Sequence, residues 1–251
     1  LVKNHTLKLL KEQFLQTGKG IIYPTFSGER GHPPLLDFKY REIIIDYNGE
    51  GGLRRLLQKH EDDAMELAVG DETILMDMNI KEDYEKLLKY FHAGAPSRKE
   101  CYEILDIYKV PINIIKHSTE VARVSLELVT TLKEAGYYLN QSALEAAALL
   151  HDIAKGEKNH AQKGAGLIKE MGYEEVGDIL SAHTDIEIDE EEKITEKEIL
   201  YLADKLVKED RILPLRIRLN QQLDIYREDL KVAERVKYRY DVAYKIMNKI
   251  K

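Results

Sequence analysis

The sequence predicts an α+β protein in two parts, an α/β segment over residues 1–92 and an all-helical part over 98–251. Three observations carry this. Strand-like and helix-like patterns alternate up to residue 92. The stretch His92-Ala93-Gly94-Ala95-Pro96-Ser97 has linker composition, with the linker itself placed at 93–97. Beyond it, apolar residues recur at the three- and four-residue spacing of helices. A length of 251 residues suits one large domain or two small ones. With 43% hydrophobic and 33% charged residues a packed core can form, which argues against disorder. A net charge of -7 counts against a general nucleic-acid binder. No apolar run reaches the roughly 20 residues of a membrane span. The single cysteine, Cys101, excludes an intrachain disulfide and a cysteine-built zinc site, and a cytoplasmic setting is expected.

In the first part, Leu7, Leu10 and Phe14 fall at helical spacing, and the helix reads as already under way at Leu1, as at a cut edge. Ile21, Ile22 and Tyr23 suit a buried strand ended by Pro24. Residues 27–34 are a Gly- and Pro-rich loop, followed by helices at 38–47 and 52–60. MELAV at 65–69 and TILMDM at 73–78 read as a strand pair joined by Gly70-Asp71, and 81–91 as an amphipathic helix.

In the second part, residues 97–108 form a helix with Cys101, Ile104, Leu105 and Tyr108 inward. Another runs from Pro111 to Gly136. Ser142-x-x-Glu145 and Thr195-x-x-Glu198 read as capping boxes for two more helices. Further helices are expected at 161–172 and 174–183, and one or two long ones at 213–250. The acidic run at 185–192 reads as a solvated loop. The interleaved charges of the tail read as a paired helix surface, with Tyr226, Tyr238, Tyr240 and Tyr244 packed or bordering a homodimer surface.

Histidine placement carries the chemistry. His117 shares a helical face with Val121, Val124 and Leu128. His151 follows Leu144, Ala147 and Ala148 on the inner face of a very apolar helix, and Asp152 comes next. His183 lies one turn after Ile179 and Leu180, and Asp204 four residues after Leu200. Four helices thus each point an imidazole or a carboxylate inward. Unpartnered buried carboxylates cost roughly several kcal/mol each. No Lys or Arg is expected on these inner faces, so a divalent metal is the economical counter-charge. Nitrogen and oxygen donors without thiolate suit iron, manganese, cobalt, nickel or zinc in an open catalytic site. His5, His32, His60 and His92 lack such company and are expected on the surface or in loops.

The order His117, His151-Asp152, Asp204, with LLHDIAK at 149–155, resembles the HD superfamily of metal-dependent phosphohydrolases; Ala154 stands where glycine is usual. The resemblance covers roughly residues 97–215. It implies a helical bundle with His117, His151, Asp152 and Asp204 as ligands of one metal. Members with two metals add two histidines between the HD pair and the last aspartate, and His160 and His183 stand at those places. Asp152 would then bridge two divalent ions at the catalytic centre. The implied activity is that of a phosphomonoesterase or phosphodiesterase acting on a nucleotide or similar small phosphate ester. Lys155, one turn after His151, and Arg211, seven residues after Asp204, are candidates for phosphate contact. Asp185 and Glu187 are candidates to orient water or product. Two alternatives stand beside this reading: a non-catalytic module that binds a nucleotide or cofactor phosphate and regulates the adjoining region, and oxidative chemistry at a di-iron site, as a minority of HD relatives perform.

The segments IIYPTFSGERGHPPLL, GEGGLRRLL and LMDMNIKEDYEKL make residues 1–92 resemble the second half of a molybdenum-cofactor nucleotidyltransferase. The resemblance implies a substrate-side loop at Arg30, Gly31 and His32, and a closing strand that brings Asp77 and Asn79 near magnesium. Ile80 and Lys81 replace the usual Thr-Pro. The family's glycine-rich nucleotide loop has no counterpart in this sequence, so nucleotidyl transfer by this chain is not expected. The pairing of the two parts points to molybdenum-cofactor metabolism.

Overall fold

The computed structural model describes residues 2–250, so the reading of Leu1 as a cut edge lies outside the described residues. The chain divides between Phe91 and His92 into two compact units. Among the described residues no helix is long and apolar enough to cross a membrane.

The first unit is small and mixed. Helix α1 (Asn4–Thr17) leads into strand β1 (Ile21–Phe26), with β2 (Glu29–Arg30) and β3 (Leu35–Leu36) following. A 3-10 turn at Phe38–Tyr40 enters the short α2 (Arg41–Ile45), and α3 (Gly52–Leu57) runs into a second 3-10 turn at Gln58–Asp63. The expected longer helices at 38–47 and 52–60 are therefore broken into pieces. Strand β4 (Ala64–Ala68) and helix α4 (Lys81–Ala93) complete the unit. β1 is central: it pairs in parallel with β4 from Ile21–Ala64 to Thr25–Ala68, and antiparallel with β2 and β3 along its other edge. Ile21 and Ile22 are fully buried against this sheet's neighbours.

Two sequence expectations fail here for local reasons. Pro24 does not end β1. Its carbonyl accepts from Gly31 N–H on the β2 side, so its missing N–H lies on that same edge, in the gap between β2 and β3. TILMDM is no strand and forms no hairpin with MELAV. The buried Asp71 side chain accepts from the N–H and hydroxyl of Thr73, which starts a 3-10 turn at Glu72–Leu75.

Asp71 also takes Lys3 through its backbone N–H at 3.0 Å and its ammonium at 2.9 Å, and the Thr6 hydroxyl at 2.6 Å. Burial works against its charge, but Lys3, Thr6 and Thr73 outweigh burial and hold its pKa below the usual carboxylate value. A lowered folded pKa gives stability that is present above the unfolded value near 3.9 and lost as pH falls through the folded one. Asp71→Asn therefore weakens the packing of α1 on β1 by about 2–4 kcal/mol at neutral pH. Hydrogen exchange of the α1 amides checks this, with the gap to the unsubstituted chain closing below about pH 4.

The second unit is a helical bundle: α5 (Arg98–Ile107), α6 (Ile112–Glu134), α7 (Gln141–Leu150), α8 (His160–Glu170), α9 (Glu174–Ser181) and α10 (Glu196–Leu206), then α11 (Leu215–Ile225) and α12 (Leu230–Lys249). It is not wholly helical, because a two-residue hairpin of β5 (Val207–Lys208) and β6 (Arg211–Ile212) follows α10. Val207 turns extended and is fully buried, and Glu209 takes a left-handed φ of 56° at the hairpin turn. The last segment is two helices, the second begun by Asp229, whose side chain accepts from Val232 N–H.

Helix α7 is the centre of the bundle. Ala143, Leu144, Ala146, Ala147, Ala148, Leu149 and Leu150 are all buried, and the alanines let α6 and α9 approach closely. Its N-cap is Asn140, which accepts from Ala143 N–H, and Ser142 plays no capping part. Asn140 is itself held by Glu175 and Glu196, which sets the helix start two residues earlier than the sequence suggested. The Thr195–Glu198 capping box is present, and Ser97 with Glu100 forms a second one.

The acidic run 185–192 is tethered to α12 and does not simply float in solvent. Arg239 grips Asp185 through two bonds of 2.7 Å, Lys245 meets Glu190 at 2.8 Å, and Lys249 donates to the Asp189 carbonyl at 2.6 Å. Lys249 also meets Glu198 at 2.8 Å, with both side chains nearly buried. Glu198→Ala removes the capping box and leaves the nearly buried Lys249 with only the Asp189 carbonyl, so it should cost about 2–4 kcal/mol. Thermal unfolding of the bundle checks this, and Glu198→Gln, which keeps the cap, should recover about 1 kcal/mol.

Candidate metal centre

The six sequence-selected histidines and aspartates come from five elements of the bundle and converge. His117 stands in α6, His151 caps the end of α7 with Asp152 next, His160 opens α8, His183 follows α9, and Asp204 lies in the last turn of α10. His151, Asp152 and His183 are buried to 0%, 1% and 3% exposure.

Helix ends orient the imidazoles. The Nδ1 of His151 donates to the Ala148 carbonyl at 2.8 Å, and the Nδ1 of His183 to the Leu180 carbonyl at 2.8 Å. In both cases a carbonyl at a helix C-terminus accepts from the ring three residues on, Leu180 also accepting the backbone N–H of His183 at 3.2 Å. The Nδ1 of His117 donates to the Glu209 carbonyl at 3.1 Å, so the β5–β6 hairpin has a part in the site. Each of these bonds fixes the ring's orientation and turns Nε2 inward, the usual arrangement behind a metal-ligating histidine.

The inward atoms form two groups that share Asp152. In the first, His117, His151 and Asp152 offer ligand atoms that all lie within 4.8 Å of one another. Asp204 stands beside it, with Oδ1 3.1 Å from His117 Nε2 and 3.7 Å from His151 Nε2. In the second, Asp152 Oδ1 lies 3.5 Å from His160 Nε2 and 3.7 Å from His183 Nε2. The Nε2 atoms of His160 and His183 face each other at 3.1 Å. His151 Nε2 and Asp152 Oδ1 are buried polar atoms without a hydrogen-bond partner. Such orphans are costly in a folded interior. Nitrogen and oxygen donors around them fit a divalent ion.

The electrostatics agree with a cation-seeking centre. Burial works against the charge of Asp152, yet His151 and His183 outweigh it and hold the carboxyl below its usual range. Asp204 is held low in the same way by Lys205, His117 and His151. Burial, together with neighbouring imidazoles, pulls His160 and His183 below the ordinary histidine value, which keeps both neutral and able to donate a lone pair. His151 is the exception: burial opposes its charge, but Asp152 and Asp204 push its pKa up to about 10.

One expectation about this site is wrong. Lysines do reach the inner carboxylates: Lys155 meets Asp152 Oδ2 at 2.7 Å, and Lys205 meets Asp204 Oδ2 at 2.7 Å. Lys205 also donates to the His183 carbonyl at 3.0 Å and lies over the Tyr201 ring. Long flexible stems carry these ammonium groups in from the next turn, for Lys155, and from the next residue, for Lys205, which inner-face spacing does not register. Lys205 takes the Asp204 oxygen that the histidines leave, whereas Lys155 takes Asp152 Oδ2, which also lies 3.4 Å from His151 Nε2; Asp152 Oδ1 is left to the second histidine group.

A cavity of about 730 Å³ opens onto His117, Asp152, His160, His183 and Asp204. Lys155 lines it. Arg211 does not: its side chain is 85% exposed, on the hairpin beside Asp210. The cavity's arginines are Arg218 on α11 and Arg239 on α12, which sequence reasoning passed over; helical spacing of Arg218 with Gln222 was the available signal. Asp185 is engaged by Arg239, and Glu187 is exposed outside the cavity.

The residues singled out in the first unit come together less well. Arg30 is held by Glu61 and Glu66, each at 2.7 Å, and stacks on Tyr23. His32 is exposed, and Gly31 serves packing, since a Cβ there would sit 2.5 Å from Ile74. Asp77 and Asn79 are exposed and lie past the 3-10 turn, on no strand. Among the described residues, groups of three or more potential metal ligands occur only around Asp152, so the magnesium expected near Asp77 has no such group. His60 packs edge-on against Tyr40, and the thiol of Cys101 is fully buried, its pKa raised by burial.

Residues 114–208 match the family model of the HD domain, a span that contains all six convergent residues. That match points to a metal-dependent hydrolase. Neither the curated proteins nor the solved structures gave a match.

Proposed function

We propose that this chain is a metal-dependent phosphohydrolase, a phosphomonoesterase or phosphodiesterase acting on a nucleotide or similar small phosphate ester. The observation that carries the reading is the pair of ligand groups built around one buried carboxylate, Asp152, whose Oδ1 has no hydrogen-bond partner. One ion would be held by His117, His151, Asp152 and Asp204, and a second by Asp152, His160 and His183, with iron, manganese, cobalt, nickel and zinc as the metals this donor set suits. Divalent ions bound in such a site offset the negative charge of a phosphate ester and make water ionise near neutral pH.

The chain's own residues do the rest. Two backbone carbonyls at helix ends and a third at the β5–β6 turn hold three imidazoles in one orientation. Lys205 ties Asp204 to the His183 carbonyl, so α9 and α10 present their ligands in register. Lys155, half-exposed on the cavity wall, keeps an ammonium beside Asp152 where a phosphate oxygen would lie. A place in molybdenum-cofactor metabolism rests on the resemblance of residues 1–92 alone.

Hydrolysis of p-nitrophenyl phosphate and bis(p-nitrophenyl) phosphate by the full chain, supplied in turn with each of the five metals, tests the reading. Release of p-nitrophenol that is abolished by chelator and restored by metal is expected. No metal-dependent release from either ester overturns it.

A further inference from the structure

We propose that the cavity takes a ligand with two phosphate groups, the second of them read by Arg218. The proposal rests on the hydrolase reading only for the placing of the first phosphate at the ligand groups. Three of the cavity's cations are already matched by carboxylates: Lys155 by Asp152, Lys205 by Asp204, and Arg239 by Asp185. Lys116, Lys208 and Arg218 line the same cavity and form no ion pair among the described residues. Lys208 donates only to the neutral Gln221 side chain, at 3.2 Å. Against these three stand the exposed carboxylates of Glu209 and Asp210, the latter 4.0 Å from the outward Arg211. The wall away from the metal ligands therefore keeps a positive surplus.

Arg218 is the built part of that surplus. It is half-buried, and its Nε donates to the Lys205 carbonyl at 3.3 Å. This fixes the guanidinium beside the residue that follows Asp204 and leaves its terminal nitrogens for the cavity. Gln222, one turn along α11, and the buried Tyr240 of α12 complete the wall with a polar amide and a phenol. An arginine fork held by one bond and lacking a carboxylate suits the planar, two-toothed recognition of a phosphate. A volume of about 730 Å³ lies within the range for whole small-molecule ligands, which leaves room for both groups and the moiety joining them.

Equilibrium dialysis of AMP, ADP and adenosine 3′,5′-bisphosphate against the full chain tests this, once metal-loaded and once after chelation. At least one of the two-phosphate probes should bind about 10-fold or more tightly than AMP. Arg218→Ala should close that gap to about 2-fold with metal content unchanged, and Arg218→Lys should keep part of it. Arg216→Ala, which removes a charge from the exposed face of the same helix, should leave the gap intact. Equal binding of all three probes, no binding of either two-phosphate probe, or an equal loss for AMP and its two-phosphate relatives in Arg218→Ala overturns the proposal. An intact, Arg218-dependent gap in a chain that hydrolyses no ester removes the hydrolase reading and leaves the subsite.

Discussion

Asp152→Asn should lower phosphate-ester hydrolysis by about 1,000-fold or more and take metal content from two equivalents to below one. Asp152 is the one residue common to both ligand groups, so its loss acts on both at once. The amide keeps the carboxylate's shape and leaves the fully buried α7 packing untouched, so circular dichroism should report the same helices. What changes is charge and donor character: an amide nitrogen cannot ligate, and the remaining oxygen is a weaker donor. The check is a paired measurement of turnover and of metal by mass spectrometry on the same preparations. Full activity in the variant would remove Asp152 from the centre of the account.

His183→Ala should act on one side only. It removes a ligand from the second group and leaves His117, His151, Asp152 and Asp204 in place. One equivalent of metal should remain, and turnover should fall by about 100-fold, because a single ion offsets less of the developing charge. His183 is 3% exposed, so the truncation also opens a cavity and should cost about 2–3 kcal/mol of stability. Thermal unfolding separates that loss from the ligand effect. A preparation that keeps two equivalents would show that His183 is a packing residue.

His117, His151, His183 and Asp204 were legible in the sequence because each sits on or just past a helix whose apolar stripe is unambiguous, while His160 came from the family resemblance alone. The spacing of His117 from Val121 and Val124, and of His151 from Leu144 and Ala148, places the rings inward without knowledge of the fold. The partners were not legible. Lys155 and Lys205 reach their carboxylates by flexible stems, and the Glu209 carbonyl reaches His117 across 92 residues through a hairpin with no strand-like sequence. Arg211 follows Asp204 by only seven residues along the chain, but the hairpin turns it outward while α11 brings Arg218 back to the cavity. In the first unit the misread element was TILMDM. Its composition favours a strand, but one side chain, Asp71, recruits Thr73, Lys3 and Thr6 and makes a turn instead. Side-chain competition of this kind has no periodicity for a pattern to detect.

The central claim is that two cations share Asp152. Anomalous diffraction from a crystal of the full chain grown with manganese tests it most directly. Two peaks are predicted, one on the His117–His151–Asp204 side of Asp152 and one on the His160–His183 side. A manganese-saturated crystal with one peak or none beside Asp152 would contradict it.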